Sequence, residues 1–164
     1  MSVHRLLPGV LALAVVLGGC GFQLRGQAGL PEDVRSVYLE GVPAIADELE
    51  IFLESAGASR EKGQAGSDLA IFLRNERYHR RVLSVDPNSG KEREFELVYL
   101  VEFDARRGDG TVLVEPQEVS ILRDYVFDPD AVIGKSREEE VLREEMRRDA
   151  AQQILRRLGG AWGR

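Results

Sequence analysis

The sequence is poor in the residues on which most catalytic and metal chemistry depends. It holds one cysteine, two histidines and one tryptophan in 164 residues. A single cysteine closes no internal disulfide and builds no multi-thiolate metal site, and so few histidines exclude a zinc site of Cys and His ligands by count. No apolar run reaches the roughly 20 residues that a helix needs to span a bilayer. A phosphate-binding loop, a Gly-x-Gly-x-x-Gly fingerprint and a Gly-x-Ser-x-Gly nucleophile turn are all absent from the sequence. Positive charge is also in deficit, with 22 Lys+Arg against 28 Asp+Glu and a formal net charge of −6. That balance argues against broad binding to a nucleic-acid backbone, so no nucleic-acid partner is expected. Apolar material is not lacking: 43% of residues are hydrophobic, enough for one packed core in a chain of this length.

The lone cysteine has an informative position. Met1 to Arg5 carries one positive charge, Leu6 to Leu17 is mostly apolar, and Leu17-Gly18-Gly19-Cys20 follows. A short basic region, an apolar stretch of about a dozen residues and a small-residue cleavage site describe a secretory signal peptide over 1–19. The four residues up to Cys20 resemble the bacterial lipobox, in which the cysteine becomes the acylated first residue. Cleavage there leaves 145 residues, and losing Arg5 moves the formal charge from −6 to −7. The covalent N-acyl and S-diacylglycerol lipid on Cys20 is the one expected modification, and no cofactor or metal is expected. More than one acyl chain gives stable anchoring. Gly21, rather than Asp, after the cysteine favours the outer membrane in the resembled pathway.

The mature chain reads as a polar tether over 20–31 and a single α+β domain over 32–164. Val34 to Leu39 is a strand of β-formers. Pro43 opens a helix whose apolar stripe is Ile45, Leu49, Phe52, Leu53 and Ala56, with Gly57 as its C-cap. Ser59 to Ser67 shows no periodicity and reads as a loop. Three long strand segments follow, Asp68–Val85, Glu94–Ala105 and Thr111–Phe127, divided by turns at Asp86-Pro87-Asn88-Ser89-Gly90 and Gly108-Asp109-Gly110. The middle segment alternates strictly, with Phe95, Leu97, Tyr99, Val101, Phe103 and Ala105 on one face. Pro116 places the third at an edge or a bulge. A loop through Gly134-Lys135 leads to a last helix, with Ser136 and Glu139 as a capping box. Its stripe is Leu142, Met146, Ala150, Ile154 and Leu158, flanked by Val141, Ala151 and Leu155, and Gly159-Gly160 ends it. The order β-α-β-β-β-α predicts a four-stranded, antiparallel-rich sheet with two amphipathic helices on one face.

Candidate chemistry is thin. His79, the one histidine of the mature chain, sits on a strand, where an exposed structural histidine is the simplest reading. Glu138-Glu139-Glu140 fits the first turn of a helix, favoured there by the dipole. Glu92, Glu94 and Glu96 alternate opposite the apolar face and read as its solvent side. Basic residues concentrate at Arg74, Arg77, Arg80 and Arg81, at Lys91 and Arg93, and at Lys135 and Arg137. Two readings stand side by side: a solvated charged rim, or an anion-binding tip where Arg and Lys meet phosphate.

Cys20-Gly21-Phe22-Gln23-Leu24-Arg25-Gly26 resembles the opening of the LPS-assembly lipoprotein LptE family. Phe127-Asp128, Lys135, Arg148-Asp149-Ala150-Ala151 and Ile154-Leu155-Arg156-Arg157-Leu158 resemble its C-terminal part. The resemblance implies a non-enzymatic outer-membrane lipoprotein that plugs and helps assemble the β-barrel LptD. It also implies a part in lipopolysaccharide transport to, and assembly in, the outer leaflet. Lys135 carries over as a lipopolysaccharide-binding position, and Lys91, Arg93 and Arg137 are its candidate companions. The hairpin turn itself departs from the family by holding no basic residue. A lipid-anchored auxiliary subunit of an ABC-type lipid transporter is the alternative, and a surface hydrolase using paired carboxylates is a third.

Overall fold

The computed structural model describes residues 30–31, 33–126 and 132–163, with side chains of the last helix described from 137 onward. Cys20, the motif through Gly26, Phe127-Asp128 and the side chain of Lys135 lie outside the described residues. The elements run β1 (Ser36–Gly41), α1 (Pro43–Ser55), β2 (Ser59–Glu61), β3 (Leu69–Val85), β4 (Glu92–Arg107), β5 (Val112–Val126) and α2 (Val132–Trp162). The sheet has five strands in the order β2-β1-β3-β4-β5. β1 pairs parallel to β2 and to β3, whereas β3-β4-β5 is an antiparallel meander. The fold is therefore α+β with a mixed sheet, one strand more than the expected four. The added strand is Ser59–Glu61, within the expected loop; it carries no apolar residue but covers β1's outer edge, with the Ser59 amide donating to the Arg35 carbonyl at 2.8 Å.

Both helices pack over one sheet face and share a single core. The strict alternation of β4 puts Phe95, Leu97, Tyr99, Val101, Phe103 and Ala105 into it, each 2% exposed or less. From α1 come Ile45, Leu49 and Leu53, and from α2 come Met146, Ala150, Ala151, Ile154 and Leu158. α1 ends as expected on Gly57 in the left-handed region, φ +83°; the Gly57 and Ala58 amides donate to the Glu54 and Leu53 carbonyls, closing a Schellman motif.

The boundaries of β1 and α2 differ from expectation. β1 starts at Ser36 and runs to Gly41, with Val34 buried just ahead of it. α2 starts at Val132, so Ser136 and Glu139 do not cap its first turn. It also continues through Gly159-Gly160 to Trp162. Two helical glycines cost about 1 kcal/mol each. Tertiary contacts outweigh that cost: Ala161 is buried, and the Arg107 guanidinium lies 4.3 Å over the Trp162 ring and donates to the Trp162 carbonyl at 2.9 Å.

The sheet is longer than its covering. β1 accompanies β3 only from Leu69 to Leu73. There Gly41, at φ +117°, closes the pairing so tightly that a Cβ on it would lie 1.8 Å from the Leu73 carbonyl oxygen. Immediately afterwards β3 bulges between Arg74 and Arg77, with Asn75 at φ 51°. The bulge reverses the phase of the strand. Before it Leu69, Ile71 and Leu73 face the helices; after it Tyr78, Arg80 and Val82 do, opposite Tyr99, Leu97 and Phe95. Beyond this point three strands continue under α2 alone.

Candidate functional site

The end of the sheet carrying the β3–β4 hairpin holds Lys91 and Arg93, two of the sequence-predicted site residues. Its turn is built by Asp86, whose Oδ1 accepts from the Asn88 amide (3.0 Å), the Ser89 amide (2.9 Å) and the Ser89 hydroxyl (3.1 Å). These bonds, and then the Arg93 charge, hold the Asp86 carboxyl below the usual range. Arg93 lies 3.6 Å from Asp86 and is thus engaged within the turn. Lys91 is exposed and makes no ion pair among the described residues. Arg137 is likewise exposed near the start of α2, where Glu139 bonds to Tyr78 and pairs with Arg80. Lys91 and Arg93 thus lie at the hairpin, Arg137 precedes a helix turn that meets β3 at Tyr78 and Arg80, and Lys91 and Arg137 make no ion pair among the described residues.

The strand arginines are otherwise employed. On the sheet face away from the helices Arg74 pairs with Asp104, Arg77 with Glu118 at 2.7 Å and Glu102 at 3.8 Å, and Arg81 with Glu96 at 2.8 Å. Asn75 and Ser84 donate to Glu102 and Glu94 in the same cross-strand manner, both at 2.8 Å. This open face is a ladder of neutralised charge rather than an anion site, so the reading as a solvated charged surface describes it. The exposed pairs contribute about 0–1 kcal/mol each and set the polarity of the face more than its stability, whereas Asp104 is buried and depends on Arg74 for its partner. His79 is exposed on the same face, opposite Val98.

On the helix side, sequence reasoning missed two clusters. At the bulge, Glu76 turns inward, accepting from the Tyr99 hydroxyl at 2.8 Å and from Arg147 Nε at 3.1 Å. Glu76 and Arg147 are about 15% exposed in their side chains. Burial first, and the Glu76 carboxylate second, push the Tyr99 hydroxyl well above its ordinary range. Further out, Tyr78 donates to Glu139 at 3.1 Å, Arg80 lies 3.6 Å from Glu139 and 4.4 Å over the Phe95 ring, and Arg143 lies 4.9 Å over the Tyr78 ring. Glu139 therefore fixes α2 to β3, a tertiary role in place of the expected dipole one. The signal for it, Tyr78-x-Arg80 across from a helical Glu, is visible only once the post-bulge phase of β3 is known.

Beyond these clusters apolar side chains stand exposed on both sheet faces, Val82 toward the helix side and Leu122 and Val126, opposite Val98 and Glu94, on the open face. Val82 is 41% exposed, Leu83 48%, Val85 54%, Leu122 54% and Val126 64%. A strand end that keeps its β-branched residues while losing its cover is a surface suited to a partner. Among the described residues no cluster of three or more His, Cys, Asp or Glu is placed to hold a metal, and no helix is long and apolar enough to cross a membrane.

The model of the LptE lipopolysaccharide-assembly family matches residues 34–158, from just before β1 to the last turns of α2. The LPS-assembly lipoprotein LptE of Pectobacterium atrosepticum is 30% identical over 167 aligned positions, covering 94% of this chain and 85% of that one. That of Yersinia enterocolitica is 31% identical, covering 94% and 76%. Among solved structures, lipoprotein B from Nitrosomonas europaea superposes with a TM-score of 0.67 at 34% identity, over 83% of this chain and 88% of that one. Rare lipoprotein B from Shewanella oneidensis gives 0.64 at 28% identity, over 74% and 91%.

Proposed function

Because the chain belongs to the LptE family of lipopolysaccharide-assembly lipoproteins, we propose that it is anchored in the outer membrane through acylated Cys20, occupies the lumen of the barrel LptD, and helps pass lipopolysaccharide to the outer leaflet. The observation that carries this reading is the family match across the whole folded layer, β1 to α2. The physical build supports it. A barrel of many strands has a polar lumen that must be filled or gated. A domain with helices on one sheet face offers the other, a cross-strand ladder of Arg and Glu, to such a polar wall. The exposed valines and leucines at the hairpin end supply apolar contact beside it. The domain's role is then to bind and shape, not to catalyse.

In this reading Lys91 and Arg137, with Lys135 and Arg93 beside them, meet the phosphates of lipopolysaccharide at the hairpin end. Mild detergent extraction and affinity purification test the central claim: a large heat-modifiable barrel should accompany this chain in about equal amounts. Recovery of the lipoprotein alone would reject it. Cys20→Ala should abolish acylation, read by mass, and release the protein from the outer-membrane fraction when the barrel is depleted.

A further inference from the structure

The opposite end of the molecule, away from the hairpin, holds a groove that the proposed function does not use. β5 is an edge strand, and its pairing to β4 shifts register on either side of Ala105, so its first half bends. Between this bent edge and the last turns of α2 lies an open groove of about 570 Å³, lined by Leu113, Val114 and Glu115 from the strand and by Arg157, Gly160 and Ala161 from the helix. A Cβ on Gly160 would meet nothing within 4 Å, so the helix side of the groove is open there. Arg157 is already committed, donating to Gln117 Oε1 at 2.7 Å and to the Glu118 carbonyl at 3.0 Å. Glu115 is exposed and makes no ion pair among the described residues. The groove thus offers an apolar floor, an unpaired carboxylate at its rim and the free edge of a strand. Its complement is a short extended segment with alternating apolar residues and one cation.

The chain itself carries such a segment nearby. The described chain begins at Leu30, packed against the core, and Asp33 accepts from Trp162 Nε1 at 3.1 Å. The polypeptide therefore enters the domain beside the last turn of α2, next to Ala161. Phe22-Gln23-Leu24-Arg25 lies five to eight residues further out, and six extended residues reach about 20 Å. In an extended conformation Phe22 and Leu24 point to one side.

We propose that Phe22–Arg25 docks in this groove along the free edge of β5, with Phe22 and Leu24 against Leu113, Val114 and Ala161 and with Arg25 toward Glu115. The consequence is mechanical. If Cys20 carries the lipid, docking shortens the tether to the two residues before Phe22, and the domain sits at the membrane in one orientation. The groove and the hairpin surface lie at opposite ends, so this proposal and the barrel reading fail separately.

Hydrogen exchange on the purified lipidated protein in detergent decides it. Replacing Phe22→Ser and Leu24→Ser together should speed exchange of the Leu113 and Glu115 amides by about tenfold or more, leaving the Tyr99 amide unchanged. Unchanged rates at Leu113 and Glu115 would overturn the proposal. Cysteine capture identifies the occupant, with acylation blocking Cys20. Leu24→Cys with Ala161→Cys should close within one molecule on mild oxidation, whereas Leu24→Cys with Val126→Cys, at the far end of β5, should not. Equal capture at both sites, or capture only between two molecules, would also overturn it.

Discussion

The two halves of this sheet are made of the same strands and behave as different materials. In β3 the first five residues are buried or nearly so, and most of the twelve that follow are half-exposed or exposed. The near half is sandwiched: β1 and β2 extend the sheet sideways, and α1 lies beside α2 above it. The far half has three strands and the first turns of α2 only. What separates them is one bulge at Asn75, where β1 stops and β3 changes phase. Both halves bury one face of β4, but the far half leaves more of β3 and of the β5 end open to partners. A protein that must keep its fold while giving one end to another molecule gains from that separation.

The largest expected effect lies at the seam on the near side. Gly41→Ala must place a Cβ 1.8 Å from the Leu73 carbonyl at φ +117°, which no rotamer relieves. The β1–β3 pairing has to shift, and we expect a loss of about 3 kcal/mol or more in chemical denaturation. A loss under about 1 kcal/mol would mean that β1 is not the rigid border of the near half. Next is the bulge itself. Glu76→Ala removes the acceptor shared by the Tyr99 hydroxyl and Arg147 Nε, leaving a part-buried guanidinium without its carboxylate. A cost of about 2 kcal/mol follows. Amides of the far half should exchange faster, while those of α1 keep their rates. Uniform acceleration would show that the halves unfold as one unit.

A smaller effect is pH-dependent and contrasts two aspartates. Asp68 Oδ2 accepts from the Arg35 amide (2.9 Å), the Ser36 amide (2.9 Å) and the Ser36 hydroxyl (2.8 Å), joining the start of β1 to the start of β3. The Arg35 amide bond first, and then the Ser36 bonds, hold its carboxyl below the ordinary value. A carboxyl depressed in the folded state contributes stability that is fully present above its unfolded pKa, near 4, and is lost as pH falls through the folded value. Asp68→Asn should therefore flatten the acid-denaturation curve below about pH 4. Asp86 is depressed by the same kind of bonds, but all of them lie inside one turn. Asp86→Asn should alter exchange locally at the hairpin and leave the global acid midpoint in place.

The near half was the more legible in the sequence, for a physical reason. Burial writes a period. β4 alternates because one face is packed along its whole length, and α2 carries its stripe from Met146 to Leu158 because that face is covered. Where cover ends, the period falls silent. Arg74-Asn75-Glu76-Arg77 contains no apolar residue, so nothing in it announces a bulge or the reversal of phase beyond. Ser59-Arg60-Glu61 is a strand only because β1 needs an edge partner. Gly159-Gly160 signals a helix end that Trp162 and Arg107 override from 50 or so residues apart. The strand arginines show the same limit. Their partners Asp104, Glu118 and Glu96 are set by cross-strand register, which spacing along the chain does not reveal. Lys91 and Arg137 remain candidates: they flank a turn and the start of the last helix, where charge is not consumed by pairing across a sheet.

The smallest effect on stability should accompany the largest on association. Val82, Val85 and Val126 are 41%, 54% and 64% exposed, so replacing all three with Ser removes little that is buried in the isolated domain. Each exposed substitution is expected to change stability by about 0.5 kcal/mol or less. If the far half is the surface given to the barrel, the same triple variant loses contacts that become buried only in the complex, at about 25 cal/mol per Å² of apolar area. Co-purification of the barrel should fall severalfold while the melting temperature of the isolated domain moves by only a few degrees. A matched near-half variant, Ile51→Ser on the exposed side of α1, should change neither. Loss of the barrel with Ile51→Ser and not with the triple variant would transfer the docking surface to the helix layer. The open sheet face would then be left to solvent, which its ladder of Arg and Glu already satisfies.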